Sequence, residues 1–298
     1  MELTFDPSKT PFNLDHTLNC GQVFRWHKYN GCWFGVVNGS VIKMEQKGNK
    51  LIFNAYPSQS PEFIKRYFRF HDNLPEILHQ INKDNLIHNA IKRFYGLRII
   101  DQDPWECLIS YICSRRTKIT KIMSIIYNLS KQFGEELSLN GYTNYSFPKP
   151  EVLANTKTNE LLRSSLTFGE RQASEINEIA KRVCAGEINF EHLRELSYTN
   201  ARNELLSLPG VGKKVADCVL LFSLGKLEAF PIDVWVKRVM LQHYGSHFTF
   251  INPLMGKSLT SSQYDKIASF AREYFGKYAG YAQEYLFYYV RASNMNLI

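Results

Sequence analysis

L-L-S-L-P-G-V-G-K-K-V-A-D-C-V-L-L-F at residues 205–222, followed by F-P-I-D-V-W-V-K-R at 230–238, decides the reading of this chain. The first stretch sets out a helix, a hairpin at Leu208-Pro209-Gly210-Val211-Gly212, and a second helix that opens on Lys213 and Lys214. Gly210 and Gly212 admit positive φ and leave backbone N–H groups uncovered. Those amides, with the N-terminus of the helix behind them, predict a seat for a phosphate. Asp233, after Pro231, stands where a third helix should begin. An amine, a carboxylate and a phosphate seat in one place point to chemistry on the sugar of a nucleic acid.

Composition agrees with that direction. The chain has 298 residues, 44% hydrophobic and 14% aromatic, which is enough for two or three packed subdomains and argues against disorder. Lys and Arg outnumber Asp and Glu by 36 to 28, a net +8 with a pI near 9.0, so a polyanionic partner is expected. No apolar run reaches the ~20 residues of a membrane span. Met-Glu-Leu-Thr-Phe-Asp lacks the basic and apolar regions of a signal peptide, so an intracellular protein is expected. The six cysteines, Cys20, Cys32, Cys107, Cys113, Cys184 and Cys218, form no C-x-x-C pair and suit neither zinc nor an iron–sulfur cluster. Reduced, mostly buried thiols and no metal or other cofactor are the expectation.

Residues 22–56 read as β. V-F-R-W, C-W-F-G-V-V, S-V-I-K-M-E-Q and K-L-I-F-N-A are separated by Asn30-Gly31, Asn38-Gly39 and Lys47-Gly48-Asn49, which are hairpin signals. Ile42 and Met44 alternate with Val41, Lys43 and Glu45, the pattern of a sheet with one covered face. From Ser60 the period turns helical: Phe63, Ile64, Tyr67 and Phe68 share a stripe. Residues 104–134 predict two helices broken near Ser114-Arg115-Arg116, and 136–157, with Gly141, Pro148 and Pro150, reads as a loop. Further helices are expected at about 158–165, 171–185, 199–206, 213–224, 234–243, 261–276 and 280–293. The fold class is therefore α+β: an antiparallel sheet domain with flanking helices over 1–100, then an all-α domain over 101–298 that contains the hairpin at about 199–224.

L-P-G-V-G-K-K-V-A-D with its following aspartate resembles the helix-hairpin-helix, Gly/Pro-Asp superfamily of DNA glycosylases. C-G-Q-V-F-R-W at 20–26, Q-D-P-W-E-C-L-I-S-Y-I-C-S at 102–114, F-P-I-D-V at 230–234 and G-Y-A-Q-E-Y-L-F at 280–287 narrow the resemblance to the 8-oxoguanine DNA glycosylases. The four-cysteine loop of the endonuclease III type is missing. The resemblance implies a monomeric enzyme on double-stranded DNA containing an oxidised purine, working in the cytoplasm or nucleoid of a prokaryote or the nucleus of a eukaryote. It assigns Lys214 as the amine that attacks C1′ and goes on to cleave the strand, and Asp233 as the carboxylate beside it. It places Gly21, Cys218, Gln283 and Phe287 around the flipped base. The Gly21 carbonyl would accept from N7–H of 8-oxoguanine and repel the N7 lone pair of guanine. DNA contacts fall to Gly210, Gly212, Arg116, Lys121, Arg171 and Trp235.

Taken without the resemblance, each of these residues has a plainer role. Lys214 would be a solvated lysine, Asp233 an N-cap worth about 1 kcal/mol, Cys218 and Phe287 core, and Gly21 a turn. The cap is compatible with catalysis, since backbone N–H groups lower a carboxyl's pKa and keep it ionised. Arg115, Arg116, Lys118 and Lys121 would form a solvated basic face; in the family this junction enters the duplex. The chain departs from the pattern here. Cytosine-strict relatives have asparagine at 116 and arginine at 121, where this chain has Arg116 and Lys121. Glu170 replaces an aromatic wedge beside a retained Arg171, and Trp235 replaces a histidine. Two rivals stay open: a non-catalytic DNA clamp, which the Lys214–Asp233 pair argues against, and a monofunctional alkyl-base glycosylase, which would lack the lysine.

Overall fold

The computed structural model describes residues 1–164, 166, 169–248 and 258–294. Five strands form one antiparallel sheet in the order β1-β5-β4-β3-β2. They are β1 (Glu2–Thr4), β2 (Trp26–Tyr29), β3 (Cys32–Val37), β4 (Ser40–Lys47) and β5 (Lys50–Tyr56). Asn30-Gly31 and Asn38-Gly39 close their hairpins with φ of 48° and 78°, and of 48° and 70°, the paired positive values of a type I′ turn. Trp33, Ile42, Met44, Leu51 and Phe53 point to one face and bury against Leu14, Ile64 and Phe68.

Two features differ from the sequence reading. The first β segment begins only at Trp26, because Gly21 takes φ 109° and Gln22 turns inward, leaving 21–25 irregular. Residues 136–157 are not a loop: β6 (Glu136–Leu139) and β7 (Tyr142–Tyr145) form a hairpin, and Pro150–Asn155 is a helix. Asn140-Gly141, at φ 52° and 80°, carries the same turn signal as the first sheet. Its short, polar strands hid it. This hairpin lays Leu139 on Val36 and Val41, so the outer face of the large sheet is also covered at that end. The edge strand Glu2–Thr4 and the helices Leu14–Asn19, Asn85–Arg93 and Phe190–Glu195 also went unread.

The other helices fall close to expectation. Pro104–Cys113 and Ile119–Phe133 flank the 114–118 break, and Gly169–Cys184, Tyr198–Leu206, Lys213–Ser223, Val234–His243, Ser261–Phe275 and Ala279–Asn294 follow. Residue 165, the last of the helix expected at 158–165, lies outside the described residues. The segment Thr158–Leu161 is helical and passes into a short 3-10 turn. Leu74–Ile81 and Asn85–Arg93 pack into the helical core with the C-terminal helix. Arg98 locks the two cores together: its buried guanidinium donates to the carbonyls of Pro11 (3.0 Å), Arg69 (2.6 Å) and Asp72 (3.2 Å).

The C-terminal helix generates two stability predictions. Gly280 donates its N–H to the Leu227 carbonyl at 2.8 Å, and a methyl group there would lie 2.9 Å from the carbonyl oxygens of both Leu227 and Ala229. Gly280→Ala should therefore lower stability by about 1–3 kcal/mol, read as a drop in the thermal midpoint. An unchanged midpoint would show that the backbone yields freely. Glu284 is buried, and burial pushes its carboxyl up from 4.5 to about 7, aided by Asp233 and opposed by the Cys20 thiol and Arg291. Between those two values the unfolded chain gives up a proton that the native state keeps. Native stability contributed by this site thus falls as pH rises from 4.5 to about 7, and stays low above it. Glu284→Gln should gain on the parent across that window by up to about 3 kcal/mol in urea unfolding. Parallel curves at all pH values would contradict the assignment.

Candidate active site

The hairpin joins Tyr198–Leu206 to Lys213–Ser223. Gly210 sits at φ 75°, and a side chain there would strike the Glu175 carboxylate. The Gly210 carbonyl accepts from Arg115 Nη1 at 3.3 Å, and Arg115 is also ion-paired with Glu175, which Arg171 Nε reaches at 3.1 Å. Arg115 is thus a brace for the hairpin and not part of the open basic face. Gly212 corrects the sequence reading as well. It lies at φ −92°, ψ 176°, where any residue is at ease, and no atom would obstruct a side chain on it. As the N-cap it has no side chain to cover the first amides of the helix, so those donors stay open on that surface.

Lys213 and Lys214 part company at once, as adjacent helical positions must. Lys213 pairs with Asp265 and donates to the Ser261 carbonyl at 2.9 Å, so its charge is engaged away from the site. Lys214 turns inward. Its Nζ donates to Ser114 Oγ at 2.8 Å and lies 4.7 Å from the centre of the buried Tyr111 ring. Cys218, one turn further on, is buried, and burial pushes its thiol up to about 12 against the pull of Lys214. It is a neutral thiol beside an amine. Sequence reading passed over Ser114 and Tyr111 because nothing local links them to a lysine a hundred positions away.

Asp233 caps Val234–His243: its Oδ1 accepts from the amides of Trp235 at 2.9 Å and Val236 at 2.8 Å. The expectation that capping would lower its pKa does not hold. Burial raises it, and the two amides, Lys214 and Arg291 only partly offset that. Lys214 and Asp233 therefore sit at the starts of two successive helices, near enough to feel each other's charge.

Gly21 stands just past the end of the Leu14–Asn19 helix and is linked to this region through Arg291, whose charge reaches Asp233. Phe287 and Arg291 pack against it, and a side chain at Gly21 would overlap the Arg291 guanidinium and lie 3.2 Å from Phe287 Cε1. Gln22 is buried and holds the turn: its Nε2 donates to the carbonyls of Thr17 (3.1 Å) and Arg98 (2.8 Å), and its Oε1 accepts from the Ile100 amide (2.8 Å). Its own carbonyl accepts from Gln102 (2.8 Å) and from the hydroxyl of Tyr111 (3.1 Å), the ring under Lys214. Gln283 is buried with its Oε1 unpaired, as is Oε1 of Glu284 beside it.

Of the residues assigned to DNA, Arg116, Lys121 and Arg171 are exposed, with Glu170 exposed beside the last. Arg116 takes φ 49°, which asparagine accepts more readily than arginine. Trp235 is half-buried, and Arg238 lies 5.1 Å from its ring centre. Among the described residues no helix is long and apolar enough to cross a membrane, and no group of three or more His, Cys, Asp or Glu comes together as metal ligands would. Cys20, Cys107, Cys113 and Cys218 are buried free thiols.

Comparison with known proteins agrees along the whole chain. Residues 4–108 match the family "8-oxoguanine DNA glycosylase, N-terminal domain", and residues 109–249 match "HhH-GPD superfamily base excision DNA repair protein". The probable N-glycosylase/DNA lyase of Methanothermobacter thermautotrophicus is 32% identical over 95% of each chain. The N-glycosylase/DNA lyase of Saccharomyces cerevisiae is 29% identical over 94% of this chain and 84% of its own. The Clostridium acetobutylicum 8-oxoguanine glycosylase/lyase, solved with double-stranded DNA containing cytosine opposite 8-oxoguanine, superposes with a TM-score of 0.83 at 33% identity, covering 95% of this chain and 93% of that one. A 3-methyladenine DNA-glycosylase from Archaeoglobus fulgidus shares the fold, with a TM-score of 0.76 at 22% identity over the full length of both. With its two matched domains and full-length lyase relatives, the chain belongs to the 8-oxoguanine DNA glycosylase branch of the HhH-GPD base excision repair superfamily and is a DNA N-glycosylase/lyase.

Proposed function

We propose that this enzyme flips 8-oxoguanine out of duplex DNA, excises it through a lysine Schiff base and cuts the strand by β-elimination. The observation that carries the reading is the inward-turned Lys214, held by Ser114 Oγ at 2.8 Å, beside a carboxylate fixed at the next helix start. The amine attacks C1′, and the N–C bond forms as the glycosidic bond breaks and the base leaves with the bonding electrons and a proton. Ionised Asp233 stabilises the positive charge that grows on the sugar. Ring opening gives a protonated imine on Lys214. Loss of a C2′ proton then expels the 3′ phosphate, and water releases the lysine.

Phe287 stacks on the flipped base, the unpaired Oε1 of Gln283 takes a donor on its Watson–Crick edge, and Cys218 packs against it beside Lys214. The Gly21 carbonyl accepts from N7–H. The open amides after Gly212, with Gly210 in the hairpin, seat a backbone phosphate, and Arg116, Lys121, Arg171 and Trp235 lie along the duplex. The protein acts as a monomer where the cell's DNA is, with no metal or other cofactor. Borohydride should trap a covalent adduct with an 8-oxoguanine duplex, and Lys214→Gln should bind the duplex without forming one. An undiminished adduct in that variant refutes the assignment. Asp233→Asn can keep a cap and loses the charge, so base release should slow far more than stability falls.

Selectivity for the opposite base should be weaker than in cytosine-strict relatives. The orphaned cytosine offers the N4–H₂ donor with N3 and O2 acceptors, and arginine at 116 only donates. Lys121 supplies a point charge where arginine would supply a planar fork. Losing one such contact removes about 1–3 kcal/mol of discrimination, on the order of ten- to hundredfold in rate ratio. Single-turnover excision opposite C, T, G and A at fixed salt measures it. Arg116→Asn should steepen the preference for cytosine; a strict preference already present, and unchanged in that variant, contradicts the reading.

A further inference from the structure

We propose that Arg291 is a positioning residue for recognition of the damaged base: its forked hold on the Asn19 and Cys20 carbonyls aims the Gly21 carbonyl into the pocket. The inference rests on the reading of Gly21 given above and adds the group that makes that carbonyl selective. Arg291 Nη1 donates to the Cys20 carbonyl at 2.8 Å and Nη2 to that of Asn19, the two peptides immediately before Gly21. The guanidinium lies 5.4 Å from the ring centres of both Phe287 and Tyr288, so its plane is set by packing as well as by the bonds it makes. It rests on the α-carbon of Gly21, where a side chain would overlap it.

Glu284, Phe287 and Arg291 fall at helical spacing on one stripe of the C-terminal helix. Glu284 is buried close enough to Cys20 for the two groups to shift each other's ionisation, Phe287 touches Gly21, and Arg291 takes the two carbonyls. The turn is thus gripped from the C-terminal helix on one side and through Gln22 on the other. Direction matters because a hydrogen bond weakens steeply once its angle falls below ~120°. A carbonyl free to swing would lose its hold on N7–H of the oxidised base and relax its repulsion of the guanine lone pair. Lysine cannot reproduce the grip, since it offers a point charge where arginine offers donors in a fixed fork.

Arg291 also lies close enough to Asp233 to hold its carboxyl down, so the test must separate aim from charge. Arg291→Lys keeps the charge and gives up the fork; Arg291→Met gives up both. Each full-length variant is compared with the parent in single turnover on two duplexes, one with 8-oxoguanine and one with a preformed abasic site. The second needs Lys214 and no base recognition, and it reports directly that the variant is folded. Both variants should lose about tenfold or more in release of 8-oxoguanine. Arg291→Lys should cut the abasic duplex within about twofold of the parent. Equal slowing on both duplexes, or an Arg291→Lys that releases 8-oxoguanine like the parent, overturns the proposal. A parent that cuts the abasic duplex and leaves 8-oxoguanine in place overturns the functional reading, and this inference with it.

Discussion

The placement of one turn, residues 19–22, governs the rest of the site. It carries Gly21 to Phe287 and Arg291 of the C-terminal helix, and it is held there by buried polar bonds. Gln22 uses its amide and its carbonyl on three segments of the chain, at 17, 98–100 and 102–111. A buried amide with every group paired specifies geometry in a way that a leucine of the same size does not, because each misplacement leaves a polar group unmet. The cost of that precision is intolerance of change at Gln22. Tyr111 closes the loop: its hydroxyl donates to the turn while its ring lies under Lys214. The turn that carries Gly21 and the amine of Lys214 are therefore fixed to one buried side chain.

Electrostatics in the site run against simple expectation. Two carboxyls, Asp233 and Glu284, are pushed toward their neutral forms by burial, Glu284 further by the charge of Asp233, while Arg291 pulls both the other way and Lys214 pulls Asp233. Asp233 has two backbone amides as permanent donors, whereas one oxygen of Glu284 has none. The amides favour ionisation of Asp233, and the lack of a partner favours a proton on Glu284. Neighbouring carboxyls with different hydrogen bonding are driven to different roles. Asp233 is suited to meet a developing positive charge, and Glu284 to stay neutral in the core behind it.

The sequence made the chemistry more legible than its setting. Hairpin, lysine and aspartate could be read because they follow one another along residues 208–233, across one hairpin, one helix and the start of the next. Hairpin glycines announced four turns of the two sheets, yet the Asn140-Gly141 pair was lost because its strands are only four residues long, too short for the E-L-S-L alternation to stand out beside Pro148 and Pro150. The partners of Lys214, Gly21 and Gly210 come from distant positions, Ser114 for the first, Arg291 for the second, and Arg115 and Glu175 for the third, and no local pattern encodes such pairings. The φ of Gly212 illustrates the converse error. A glycine in a turn invites a conformational explanation, but here it simply leaves the helix start uncovered.

Departures from the cytosine-strict pattern gather on exposed positions, whereas the residues assigned to excision are buried or half-buried. Arg116, Lys121 and Glu170 are all exposed and not held in the core, so they can change without disturbing Lys214 or Asp233. Position 116 shows how lightly the scaffold constrains this surface. Its backbone sits at φ 49°, a region that costs an arginine on the order of 1 kcal/mol and an asparagine less. The break at 114–118 lies between two helices, Pro104–Cys113 and Ile119–Phe133, which set where the chain must turn. Arg115 adds to this, since its side chain is spent bracing the hairpin. The groups proposed for excision and for inspection of the opposite strand thus leave one helix junction on different sides, Ser114 turned inward to Lys214 and Arg116 exposed.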